Sequence, residues 1–251
     1  MKTFLIALQF LTIFPVHLKA MPTKRQNAQS LLFYPFIGLV IGLILFAIAT
    51  ILQALPNLLV SSLLLVSWIC ITGGLHLDGL ADTADAWIGG YGDKERTLAI
   101  MKDPNCGPIA VLSLILVCVL KWSAIYILLE QELILALILF PLLGRLTPLF
   151  LFLTTNYVRD QGLGSSLATY MPKISTMIIF VWGLSVAGYF EWSGILTALI
   201  FVIILGYLRH KFIQRIGGIT GDTIGASIEI CETMTLLSFV ILSLSFKNLG
   251  F

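Results

Sequence analysis

Charge is what this chain has least of. Only 11% of its 251 residues are Asp, Glu, Lys or Arg, against about 25% in soluble domains. Residues 31–75 contain none of the four. Hydrophobic residues make up 58%, and mean hydropathy is +0.99. These values exclude an ordinary soluble domain and describe a polytopic membrane protein. A net charge of +2 and the lack of any basic tail give no footing for a nucleic-acid partner. Cysteine is scarce too. Cys70, Cys106, Cys118 and Cys231 form no CxxC pair, so neither a disulfide framework nor a zinc site is expected.

The apolar runs predict spans near 33–55, 58–75, 108–129, 133–155, 174–190 and 192–208. Pro56-Asn57 divides the first two, and Glu191 hinges the last two. A final run, 233–246, is short; it spans only if its helix begins earlier or Lys247 snorkels outward. The N-terminal MKTFLIALQFLTIFPVHLKA imitates a signal peptide, but Pro15, His17 and Lys19 suit a cleavage site poorly. It is too short to span and reads as a retained interfacial helix, packed on the bundle or lying on the membrane. The expected fold is all-α: one membrane domain over residues 1–251, a helical bundle of six to seven transmembrane helices in a lipid bilayer.

Polar loops are expected at 76–106, 156–173 and 209–232. If the N-terminus is cytoplasmic, Lys2, Lys19, Lys24, Arg25, Lys94, Arg96, Lys102, Arg159, Lys173, Arg209, Lys211 and Arg215 all fall inside. Lys121 and Arg145 lie within spans, and only Lys247 falls outside, so the positive-inside rule is met. All three loops then face the cytoplasm, and so does any chemistry they carry.

The first loop opens with GGLHLDGLADTADAW, residues 73–87. On a helix, Asp78, Asp82 and Asp85 fall within about 60° of one another. Crowded carboxylates at a membrane boundary call for a cation between them, and oxygen ligands suit magnesium. RTLAIMKDPNCG at 96–107 adds a further carboxylate, Asp103, and two basic groups, Arg96 and Lys102, able to neutralise phosphate oxygens. In GGITGDTIGASIEICE, residues 217–232, Asp222 and Glu229 are seven apart and share a helical face. Gly217 and Gly218 precede a predicted helix start that can bind phosphate, although Asp222 could instead cap that helix. Arg145 is deep in a span, where it pairs with a carboxylate or meets an anionic substrate group. YVRDQGLG at 157–164 offers Arg159 beside a turn. His76 lies about 160° from Asp78 and is not read as a ligand. Lys121 is read as structural or snorkelling.

Those segments, in order over nearly the whole chain, resemble the cobalamin synthase family. YPFIGLVIG at 34–42 fits as well, whereas PNCGPIAV at 104–111 departs from the family's glycine-rich turn. The resemblance implies a magnesium-dependent transferase of the cell inner membrane, late in cobalamin biosynthesis. Its substrates would be adenosylcobinamide-GDP and α-ribazole or α-ribazole 5′-phosphate, and GMP would leave. On that footing Asp78, Asp82 and Asp85 are expected to carry the metal. Asp82, Asp103, Arg145 and Glu229 are the candidate catalytic groups. Arg96, Lys102, Arg159, Gly217, Gly218 and Asp222 are the candidate substrate contacts. Oligomeric state is left open, a homo-oligomer included. Two other classes compete. A cation transporter would also use acids near the membrane, but here they cluster in loops with Arg and Lys. CDP-alcohol phosphatidyltransferases share the opening Asp-Gly and Ala, yet Asp82 stands where their motif needs arginine.

Overall fold

The computed structural model describes residues 2–18, 20–159 and 162–249, so Lys19 and Asp160 of the segments above lie outside the described residues. In chain order the α-helices are α1 (Lys2–Leu11), α2 (Lys24–Ser30), α3 (Tyr34–Ile51), α4 (Asn57–Thr72), α5 (Leu75–Gly89) and α6 (Lys94–Ile100). The second half adds α7 (Pro108–Glu130), α8 (Leu139–Thr154), α9 (Leu163–Tyr170), α10 (Lys173–Ser185), α11 (Glu191–Ile216) and α12 (Gly221–Leu249). Among the described residues there is no strand; a single parallel bridge pairs Tyr157 with Ile219.

Five helical stretches are long and apolar enough to cross a membrane: 24–51, 108–130, 134–154, 173–216 and 221–248. The pair α4 and α5, bent by 88°, would count as a sixth only if it crossed as one broken span. The 44-residue stretch at 173–216 doubles back on itself. Phe180 packs on Phe150, and Arg209 donates to the Thr154 carbonyl, so residues 180 and 209 both sit by the last turns of α8. A straight helix would hold them about 43 Å apart. The reversal falls at Glu191, whose φ is +53°, next to Phe190 packed on Phe239. The two expected spans hinged at Glu191 are these two arms.

The third expected loop, 209–232, is mostly helix. α11 continues to Ile216 and α12 starts at Gly221, which leaves 217–220 as the only break. Thr220 and Thr223 explain the early start of α12. The Thr223 hydroxyl accepts from the Thr220 amide at 2.8 Å, and the Thr220 hydroxyl accepts from the Thr223 amide at 3.2 Å. This reciprocal cap satisfies two amides that a helix start leaves open. The last apolar run therefore belongs to a 29-residue helix. The loop at 76–106 likewise contains α5 and α6, and that at 156–173 contains α9.

α8 is the most enclosed helix: every residue from Leu139 to Leu149 is buried, and α3, α10 and α12 pack around it. α1, with only ten residues, packs on the bundle through Phe4 against Phe33 and Phe10 against Tyr34. The turn that matters most for the site is at Gly73 and Gly74, with φ of +62° and +69°. Two successive left-handed residues end α4 and swing α5 away by 88°. α5 then lies across α12 instead of continuing the crossing. At their contact, a Cβ on Gly79 would come within 2.8 Å of the Asp222 carbonyl and 3.2 Å of the Gly225 Cα. Only a residue without a side chain lets these two backbones meet.

Candidate active site

The crossing of α5 over α12 makes α5 a wall between two cavities. The smaller, about 330 Å³, lies among α1, α5, α8 and α12 and is lined by Phe10, Tyr34, His76, Phe152, Tyr157, Arg159 and Asp222. The larger, about 530 Å³, lies toward the start of α7 and is lined by Leu77, Ala81, Asp82, Asn105 and Cys106. Asp78 lines both.

The carboxylates are held in quite different ways. Among the described residues neither Asp78 nor Asp82 has a hydrogen-bonded or ion-paired partner. Burial, reinforced by the charges of Asp78 and Asp222, pushes the Asp82 carboxyl up to about 6, although Arg159 opposes the shift. The site thus holds more negative charge than its own cations balance. Asp222 receives a hydrogen bond from Arg159 Nη2 at 2.6 Å. Because Thr220 caps α12, Asp222 is left for Arg159. The guanidinium Nε of Arg159 is buried without a partner.

Asp85 shares the helical face but has other work. Its Oδ2 accepts from the Gly107 amide and its Oδ1 from the Ala110 amide at 2.9 Å, capping α7 from a distant helix. The segment that makes this possible is the PNCGPIAV stretch, which carries Gly107 directly against the carboxylate. Asp85→Ala is expected to lower stability by about 0.5–2 kcal/mol, the ordinary loss for a helix cap, read as a lower unfolding temperature in detergent. Among the described residues no three His, Cys, Asp or Glu side chains converge to hold a metal ion. Of the three aspartates on this face, Asp78 and Asp82 are the two whose carboxylates no described group engages.

Arg145 and Glu229 line neither cavity. They belong to a buried ion network in the bundle. Lys121 Nζ donates to Glu229 Oε2 at 2.6 Å and to Glu232 Oε2 at 2.7 Å, and Arg145 Nη1 donates to Glu232 Oε1. The Lys121 ammonium also sits 4.6 Å from the centre of the Trp68 ring. Two cations and two anions leave the network neutral, so four charges are accommodated with side-chain exposures of 6% or less. Lys121, read as structural or snorkelling, is paired inside the bundle, and Glu232 was not singled out. The available signal was Glu229 and Glu232 three apart on one helical face, opposite two mid-span cations.

Other expected residues fall outside the two cavities. Arg96 and Lys102 are exposed. Asp103 accepts from the Asn105 backbone amide at 2.9 Å and its side-chain amide at 2.7 Å, bonds that hold its carboxyl below the usual range. Gly217, with φ of +79°, ends α11. Gly218 packs on the Asn156 carbonyl, where a Cβ would come within 2.2 Å. Arg215 is a further residue the sequence did not single out. It donates to the Trp87 carbonyl and lies 5.1 Å and 5.0 Å from the Trp87 and Tyr91 rings, fixing the end of α5.

Residues 3–240 match the family model described as cobalamin-5-phosphate synthase. A protein of Acinetobacter baumannii (strain ACICU) named adenosylcobinamide-GDP ribazoletransferase is 57% identical over 241 residues, covering 96% of this chain and 98% of that protein. One of the same name from Pseudomonas fluorescens (strain Pf0-1) is 49% identical over 244 residues, covering 94% and 98%. No solved structure matches. With the family model spanning nearly its whole length, the chain belongs to the cobalamin-5-phosphate synthase family.

Proposed function

We propose that this chain transfers the cobinamide phosphoryl group of adenosylcobinamide-GDP to α-ribazole or α-ribazole 5′-phosphate, releasing GMP, with magnesium as cofactor. The names of the relatives supply the substrates. The observation that carries the chemistry is the unpartnered pair Asp78 and Asp82 in the wall between two cavities. Magnesium is commonly held by one or two carboxylates together with substrate phosphates and water, so two aspartates without a third fit it. Bound there, the ion would neutralise charge on the diphosphate.

The protein's own groups do the rest by position and charge. Asp78 and Asp82 would hold the ion. Arg159, whose Nε has no partner, would meet phosphate oxygens. Of the candidate bases Asp103, Asp222 and Glu229, only Asp222 lines either of the two cavities beside α5. A ribose hydroxyl oxygen attacks the phosphorus, its proton passes to Asp222, and the bond to GMP breaks with GMP keeping the electron pair. Arg145 and Glu229 act on this site by holding α12 in place. The placement of Lys and Arg supports a site facing the cytoplasm in the cell inner membrane.

The transporter reading is disfavoured by the ion network, because the buried acids of α12 are already paired. The test is to supply purified protein with both substrates and magnesium. GMP is expected to appear in step with a new corrinoid and only when the nucleoside is present. GMP release that ignores the nucleoside, or magnesium flux in proteoliposomes without transfer, would overturn the reading.

A further inference from the structure

We infer that the smaller cavity is the seat of the acceptor nucleoside, with His76 as the residue that recognises it, and that the diphosphate donor approaches from the opposite side of α5. The inference rests on the proposed transfer, because that reading supplies the two ligands to be distributed.

Four aromatic rings line the smaller cavity: Phe10, Tyr34, Phe152 and Tyr157. Phe10 and Tyr34 are stacked with centroids 6.1 Å apart, and Phe152 and Tyr157 are stacked at 5.9 Å. Such walls suit a flat base with few polar edges. A benzimidazole nucleoside is of that kind. Guanine offers polar groups on both edges and would leave several of them unmatched against these rings.

The polar groups in the same cavity are few and specifically incomplete. His76 is only 3% exposed, lines the cavity, and has no partner for Nδ1. Arg159 lines it too, with Nε unpartnered while Nη2 holds Asp222. Buried polar atoms are rarely left unpaired, and each lost bond is expensive in an apolar setting. Together with the unpartnered Tyr34 hydroxyl, three such atoms belong to residues of one cavity, and they match a ligand with its own hydrogen-bonding groups. Ribose hydroxyls or a base nitrogen answer His76, and a 5′-phosphate answers Arg159.

The other cavity has a different character. It is larger, about 530 Å³, and its chemistry is Asp82, Asn105 and Cys106 instead of rings. A corrinoid bearing a nucleoside diphosphate exceeds either cavity, so most of it must stay outside while its diphosphate enters. The larger cavity, with Asp78 and Asp82 in its wall, suits that entry. Asp78, reaching both, then marks where hydroxyl oxygen and phosphorus meet.

The experiment uses the full chain in detergent and reads two quantities: equilibrium binding of α-ribazole alone, and the separate KM values for nucleoside and donor. His76→Ala and Phe10→Ala are expected to weaken nucleoside binding about tenfold or more, the factor that matches loss of one buried contact. Donor KM should stay within about twofold. His76→Asn, which returns an amide near the position of Nδ1, should recover most of the binding. Phe10 sits on the peripheral α1 and is 42% exposed, so its removal tests the cavity with little risk to folding. Unchanged nucleoside binding in both alanine variants overturns the inference, as does a rise in donor KM alone. Failure of wild-type protein to bind the nucleoside does so as well. Wild-type binding without GMP release would reject the transfer reading and leave the nucleoside seat standing. Turnover that none of these variants alters would do the reverse.

Discussion

Asp82→Asn is expected to lower GMP release by about 10²-fold or more while the protein stays folded, the scale for removing a charge aimed at a reacting centre. Asparagine keeps the size and much of the hydrogen-bonding capacity of aspartate, so the change removes charge and little else. Stability should move the other way. Asp82 is crowded by Asp78 and Asp222, which is part of why its carboxyl lies near 6. Removing one of these charges relieves repulsion, and the unfolding temperature should equal or exceed that of the wild type. Raising magnesium should restore part of the rate, because Asp78 remains. The measurement is GMP release against magnesium concentration beside a thermal unfolding curve. Near-normal turnover at ordinary magnesium would remove Asp82 from the proposed site. Asp85→Ala provides the contrast, because its first effect is on α7.

Glu232→Ala is expected to destabilise the protein by about 3–5 kcal/mol, the usual consequence of breaking a buried ion pair and stranding its partner. Glu232 is the hub of the network, accepting from both Lys121 and Arg145. Without it, two buried cations face Glu229 alone. The Arg145 side chain is fully buried, so water cannot reach it to compensate. Adding Arg145→Met to Glu232→Ala should recover part of the loss, because it removes the stranded charge. Thermal unfolding of the two single variants and the double variant gives the coupling. Activity should fall with the folded fraction. A loss of specific activity at unchanged stability would instead place the network in the chemistry.

Much of the site was legible because helical neighbours are local. Asp78, Asp82 and Asp85 needed only a 3.6-residue turn to be put on one face, and α5 is indeed a helix there. What local spacing could not say is what each residue meets across the bundle. Asp85 looks no different from Asp82 until the amides of Gly107 and Ala110 are brought against it. Lys121 and Glu232, separated by 111 positions, become partners only through packing of α7 on α12. The span count was readable from hydropathy, and so was a helix start after Gly218, but its cap was not, because Asp222 is the residue that the spacing offers for it. Thr220 and Thr223 carried the missing signal, a pair three apart ahead of a helix. His76 was set aside for facing away from the carboxylates. It nevertheless lines the smaller cavity, which Asp78 and Asp222 reach from α5 and α12.

The neutral ion network also bears on how the protein enters its membrane. α12 carries Glu229 and Glu232 into a crossing, and neither would be tolerated in lipid by itself. α7 and α8 each bring one cation, Lys121 and Arg145, and both precede α12 in the chain. During synthesis the two earlier helices therefore wait with unmatched charge until the last one arrives. Insertion of α12 is thus expected to be coupled to its packing against α7 and α8, where its two carboxylates meet those cations.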